Sequence, residues 1–148
     1  MRNALCCWTL CTLFAVAGIA QTEPKAIGLV KTVTGDATIV REGAPLVAQA
    51  GLSVLRGDVL RTGTPGTLGV ILRDDTTLSL GSGSEVHLAE FVFEPAEGKL
   101  EMVLRVSRGV VGYLSGKIAK LAPEAARVET PVATLGIRGT RLAARIAR

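Results

Sequence analysis

Past residue 20 the 148-residue chain has no cysteine, one histidine and three aromatic side chains. The cysteines, Cys6, Cys7 and Cys11, all lie upstream of that point, so the rest of the chain cannot form disulfides, thiol nucleophiles or thiolate metal sites. His87 alone, without cysteine, falls short of the ligand set that zinc requires. Also missing are a D-x-D-x-D-G calcium loop, a Walker-type phosphate loop and a dinucleotide fingerprint. The aromatics Phe91, Phe93 and Tyr113 stand outside the basic C-terminal segment, which therefore lacks the platforms on which bases stack. A domain with no metal and no cofactor, and not a nucleic-acid binder, is expected.

What is present begins with the leader MRNALCCWTLCTLFAVAGIA: Arg2, a charge-free apolar run from Ala4, and Gly18-Ile19-Ala20 with small residues at both cleavage-determining positions. Residues 1–20 read as a secretory signal peptide. The run falls short of the ~20 residues of a spanning helix and includes Thr9 and Thr12, so no membrane span is expected after cleavage. Ala20-Gln21 stands where a lipoprotein would carry cysteine. A bacterial periplasmic or secreted location follows as the expectation, with residues 21–148 forming one domain. A chain of that size buries about two-thirds of its unfolded surface, enough for a core without disulfides.

Charge is distributed unevenly. Residues 21–116 hold nine basic and eleven acidic side chains, a balance of −2, whereas residues 117–148 hold seven and two, a balance of +5. Arg138, Arg141, Arg145 and Arg148 end the basic segment and are the candidate partner-binding residues. In an exported chain such a segment is either a solvated basic edge or a contact for an anionic envelope surface.

Short β-rich runs separated by turn signals fill the remainder. In 77–80 the leucines share one face; in 85–88 Val86 and Leu88 point one way, Glu85 and His87 the other. Further strands are expected at 27–33, 36–41, 59–62, 68–72, 100–106, 109–114 and 127–130. The breaks are set by glycine and aspartate at 35–36, 57–58, 63–66, 74–75, 81–83 and 97–98. Residues 116–126 hold a helical turn or two, limited by Pro123. The class is all-β, a single domain of short antiparallel-type strands, with sandwich, β-roll and short β-solenoid all compatible.

Catalytic constellations are hard to assemble from these residues. His87 would need an aspartate and Ser82 or Ser84, yet Gly81-Ser82-Gly83-Ser84 lacks the G-x-S-x-G spacing of a nucleophile elbow and reads as a loop. Asp74-Asp75 reads as a type I turn with exposed carboxylates. Gly136-Ile137-Arg138-Gly139 has no Lys-Ser/Thr pair behind it and is not a phosphate loop. No enzymatic activity is expected.

The ordered stretches GLVKTVTGDATIVREG, GLSVLRGDVLRTGTPGTLGVILRDDTTLSLGSGSEVHL, VSRGVVGYLSG and RVETPVATLGIRGTRL resemble the FecR-type periplasmic domain across residues 28–142. Gly57, Asp58, Thr130, Pro131, Gly136, Gly139 and Thr140 carry the signature, and their role is read as mainly structural. The resemblance implies an all-β domain without catalytic residues or cofactor. In the family's founding members it passes a signal from an outer-membrane transporter to a sigma factor. Those members carry a cytoplasmic sigma-binding region before the apolar segment, whereas here that segment starts at Ala4, so a stand-alone exported member is expected. The expected partner is another envelope protein, in signalling or envelope organisation. The alternative is an anionic cell-wall or surface polysaccharide.

Overall fold

A computed structural model describes residues 24–139 and 141–147 of the chain, so the proposed signal peptide, Thr140 and Arg148 lie outside the described residues. Within them the chain is all-β: ten strands in one sheet, with one short α-helix.

The sheet is organised by β4 (Val59–Leu72), where Leu60, Thr62, Leu68, Val70 and Leu72 are buried and the odd positions between face outward. Along one edge of β4 runs β1 (Gly28–Arg41), itself bordered by β2 (Ala44–Val47) and β3 (Ser53–Val54). Along the other edge lie β5 (Thr77–Leu80) and then β6 (Glu85–Glu94), which bridge β4 to the long β7 (Lys99–Leu114). The far side of β7 receives β8 (Ala126–Glu129) on its first half and β10 (Arg141–Ile146) on its second, and β9 (Thr134–Gly136) pairs with β8. Every pairing is antiparallel except β7 with β8.

That parallel pair needs a crossover, supplied by α1 (Lys117–Leu121) and a 3₁₀ turn at Pro123–Ala125, inside the 116–126 window expected to be helical. Antiparallel pairing of successive long strands is not the stacking of a solenoid. Buried side chains from both ends of β1, β4 and β7 join one hydrophobic cluster, so the sheet curls over itself with a small barrel-like closure.

The curl falls on a row of glycines. Gly35, 63–66 and 81–83 are expected as breaks, but β1 and β4 run through theirs, β7 joins the strands expected at 100–106 and 109–114 through Gly109, and of these breaks only the 81–84 segment separates two strands. Backbone approach explains the glycines: a Cβ on Gly66 would lie 2.3 Å from the Asp36 carbonyl oxygen, and one on Gly109, at φ +90°, 2.5 Å from Ser84 Cα. Where the ladder is interrupted, side chains take its place. Thr62 Oγ1 donates to the Gly81 carbonyl at 2.6 Å and accepts the Ser84 N–H at 2.9 Å; Ser84 Oγ donates to the Val110 carbonyl and accepts its N–H, both at 3.0 Å.

Three bulges keep the inner face apolar around the curl. Lys31, Ala89 and Ser107 are extra residues in the registers of β1, β6 and β7. Each switches the inward parity, from Val30 to Ala37 and Ile39, from Val86 and Leu88 to Phe91, and from Leu104 and Val106 to Val111 and Tyr113.

The Asp74-Asp75 turn departs from expectation. Asp75 is exposed and pairs with Lys117 at 2.8 Å, but Asp74 is fully buried. Its carboxylate accepts the Thr76 hydroxyl at 2.7 Å, the Thr76 N–H at 3.1 Å and the Ile118 N–H at 3.2 Å, while its carbonyl accepts the Lys117 N–H at 2.6 Å. The side chain therefore fastens the crossover to the β4–β5 turn.

Candidate functional site

The described residues place the basic segment at one border of the sheet. Val110 directs both its N–H and its C=O toward the 81–84 segment, accepting Gly81 N–H at 2.8 Å and bonding Ser84 Oγ. Backbone groups alternate sides along a strand, so 109, 111 and 113 turn theirs toward β10 and meet Ile146, Ala144 and Leu142 in register. The intervening residues Arg141, Ala143 and Arg145 point their N–H and C=O groups away from β7. Among the described residues no strand pairs with that edge.

Side chains follow the same alternation. Leu142, Ala144 and Ile146 are half-buried, while Arg141, Ala143 and Arg145 are exposed on the outer face. Register then builds a shallow relief across neighbouring strands. Ser79, Gly112 and Ala143 lie side by side as a floor of small residues; Thr77, Leu114 and Arg141 form the next row, with Leu114 38% exposed. This depression, about 390 Å³, is lined by those two rows together with Tyr113 and Leu142.

Elsewhere on the described surface the electrostatics differ. There Arg61 and Arg108 share Glu85 at 2.9 and 3.4 Å, Arg105 meets Glu129 at 2.7 Å, Arg56 meets Glu90 at 3.3 Å and Arg127 meets Glu101 at 3.7 Å. Arg127 and Lys117, two of the cations in the +5 segment, are thus paired with acids from outside it. Arg138, Arg141 and Arg145 have no acid within 4.0 Å among the described residues. Arg138 borders a separate cleft of about 620 Å³ with Ala119, Pro123, Glu124, Gly136 and Gly139. The arginines therefore divide: Arg141 and Arg145 share one strand face, and Arg138 lies elsewhere.

The signature residues sit in the framework. Gly57, at φ +89°, precedes Asp58, whose carboxylate is buried against Arg41 in a two-point contact at 3.0 and 2.8 Å and also accepts the Leu55 N–H at 2.8 Å. That contact holds the Arg41 guanidinium proton more tightly than usual. Thr130 and Pro131 form the β8–β9 turn, Thr130 Oγ1 bonding both backbone groups of Ala133. Gly136 is a strand residue of β9 opposite Arg127, and Gly139, at φ +129°, accepts the Ser115 hydroxyl on its carbonyl.

The residues of the rejected triad are dispersed: Ser84 bonds Val110, Ser82 bonds Gly66, Asp58 faces Arg41 and Asp74 faces Thr76, while His87 lies between Val59 and Arg105 in the sheet. Sequence reasoning found the arginines but missed Ser79, Gly112, Leu114 and Ala143. The alternation of RLAARI, read as a strand, is the signal that finds Ala143.

Residues 58–148, more than half of the chain, match the family model described as FecR protein. Neither the search of curated proteins nor that of solved structures found a match.

Proposed function

This chain belongs to the FecR protein family, and from that premise we propose that it is an exported, non-enzymatic interaction domain that binds another envelope protein in signalling or envelope organisation. The observation that carries the reading is β10, whose outward edge has no strand partner among the described residues and whose exposed arginines have no acid partner there. Unpaired strand edges are docking sites for extended segments of other proteins. Family membership supplies the signalling context.

A photo-crosslinking residue placed singly at Ala143 on β10, Val47 on β2 and Val132 on the β8–β9 turn tests this in intact cells. The expected result is a discrete adduct with one recurrent envelope protein. Adducts that are absent from all three positions, or that scatter over unrelated proteins, overturn the reading.

A second reading, an anionic cell-wall or surface polysaccharide as ligand, draws on Arg138, Arg141 and Arg145, which have no acid partner among the described residues. It predicts retention on purified wall polymer that falls steeply once salt rises well above about 0.15 M, where the Debye length is short. Salt-insensitive retention, or none, rejects it.

A further inference from the structure

We propose that β10 accepts as an added strand an extended acidic peptide segment, with carboxylates four residues apart that meet Arg141 and Arg145. This rests on the interaction reading above and names the chemistry of the partner.

Hydrogen bonding sets the first requirement. Arg141, Ala143 and Arg145 turn three N–H and three C=O groups outward, a ladder that another extended backbone satisfies and a compact helix or a sugar does not.

Charge sets the second. Arg141 and Arg145 leave the same face of the strand about 13 Å apart, since each residue advances the chain about 3.3 Å. A second copy of β10 paired antiparallel about Ala143 would set Arg141 against the other copy's Arg145 at both ends. Like charges directly opposite one another destabilise a strand pair. Self-pairing in that register is thus disfavoured, whereas an acidic strand meets both arginines. Arg61, Arg105, Arg108 and Arg127 are already matched by glutamates, so an acidic segment is drawn to this border.

Shape sets the third. The partner residue between the two acids lies opposite Ala143, and the small floor of Ala143, Gly112 and Ser79 leaves room beside it, walled by Leu114 and Thr77. A branched apolar side chain at the central position suits that depression. The recognised pattern is therefore acid, any residue, apolar, any residue, acid.

The test uses the purified exported protein and an end-blocked peptide Thr-Glu-Thr-Val-Thr-Glu-Thr, followed by fluorescence anisotropy and by NMR shifts of β10 amides. Saturable binding that perturbs 141–146 is expected, with about tenfold weaker binding when both glutamates become lysine. Methylating the peptide amides that face β10 leaves its charge intact and should abolish binding. The double variant Arg141→Glu/Arg145→Glu should prefer the lysine peptide; both positions are exposed, and an unchanged urea midpoint shows that the variant is folded. Equal binding of the methylated peptide means attraction by charge alone and overturns strand addition. No binding by any peptide overturns the proposal too. In either case the crosslinks from Val47 and Val132 still decide whether the domain has an envelope partner.

Discussion

Replacing Arg41 should damage the fold more than replacing Asp58, although the two residues share one ion pair. Asp58 is 1% exposed and Arg41 28%, so the two charges are stranded unequally when the other is removed. In Asp58→Asn the amide oxygen still accepts the Leu55 N–H, while the Arg41 guanidinium reaches water by a modest swing and loses chiefly its charge-assisted bonds. The cost is about 1–2 kcal/mol. In Arg41→Met the carboxylate keeps one hydrogen bond, from Leu55, at a position water does not reach, and the Ser53 carbonyl loses its donor at 2.8 Å. Breaking a buried pair in this sense costs about 3–5 kcal/mol. With a slope of about 1–3 kcal/mol per molar urea, the methionine variant should lose roughly 2 M in midpoint and the asparagine variant under about 1 M. The double variant Arg41→Met/Asp58→Leu, with no charge left to strand, should recover most of the loss. Equilibrium urea unfolding followed by far-UV circular dichroism reads all three. An asparagine variant as unstable as the methionine variant would refute the accessibility argument.

Two further expectations concern the limits of the domain and its alkaline behaviour. A fragment of residues 58–148, the span matched by the family, lacks β1 to β3, so it strips one edge of β4 and removes Val30, Ile39 and Val54 from the core. It should show no cooperative unfolding transition, and a sharp one would show that β1 is dispensable. Tyr113 is buried, which favours its neutral phenol and raises its pKa above 10.0; its hydroxyl lies beside Thr76 and Ser115 without forming a hydrogen bond of good geometry to either. The folded chain then binds more protons than the unfolded one above that pH, so this contribution is intact below the ordinary phenol range and is lost as pH rises through it. Tyr113→Phe should change stability at neutral pH by under about 1 kcal/mol, because no hydrogen bond is lost, and should lessen the decline in urea midpoint near pH 10.5. An undiminished alkaline decline in the phenylalanine variant refutes it.

The sequence makes the class of the fold legible where side chains alternate without interruption. Leu78-Leu80 and Val86-Leu88 are such stretches, and their buried faces are the ones alternation indicates. It misleads at glycine, because the same residue that ends a strand also lets two backbones meet inside one, as Gly66 does over Asp36. Composition hides β10 as well: leucine, alanine and arginine are good helix formers, and only the vacant edge of β7 makes RLAARI extended. Asp74 and Asp75 look equivalent in one dimension, and their division into a buried clamp and a surface charge depends on a crossover more than forty residues downstream of Asp74. Of the candidate site, the arginines were legible as an excess of charge. Their separation into an edge pair and an Arg138 that borders another cleft was not, because strand register, and not spacing, decides it.

The bulges at Lys31, Ala89 and Ser107 carry a consequence for how this fold tolerates change. At these places the chain carries a residue that the ladder does not count. Removing Lys31 would bring the pairs 30 with 70 and 32 with 69 next to each other and leave Ala37 and Ile39 on the inner face; what would go with it is the bend and extra twist of the bulge. The same deletion at a regularly paired residue turns the stretch beyond it by half a turn and exposes its apolar side. Single-residue changes of length in the family's lineage are therefore expected to gather at the bulges and to be rare between them.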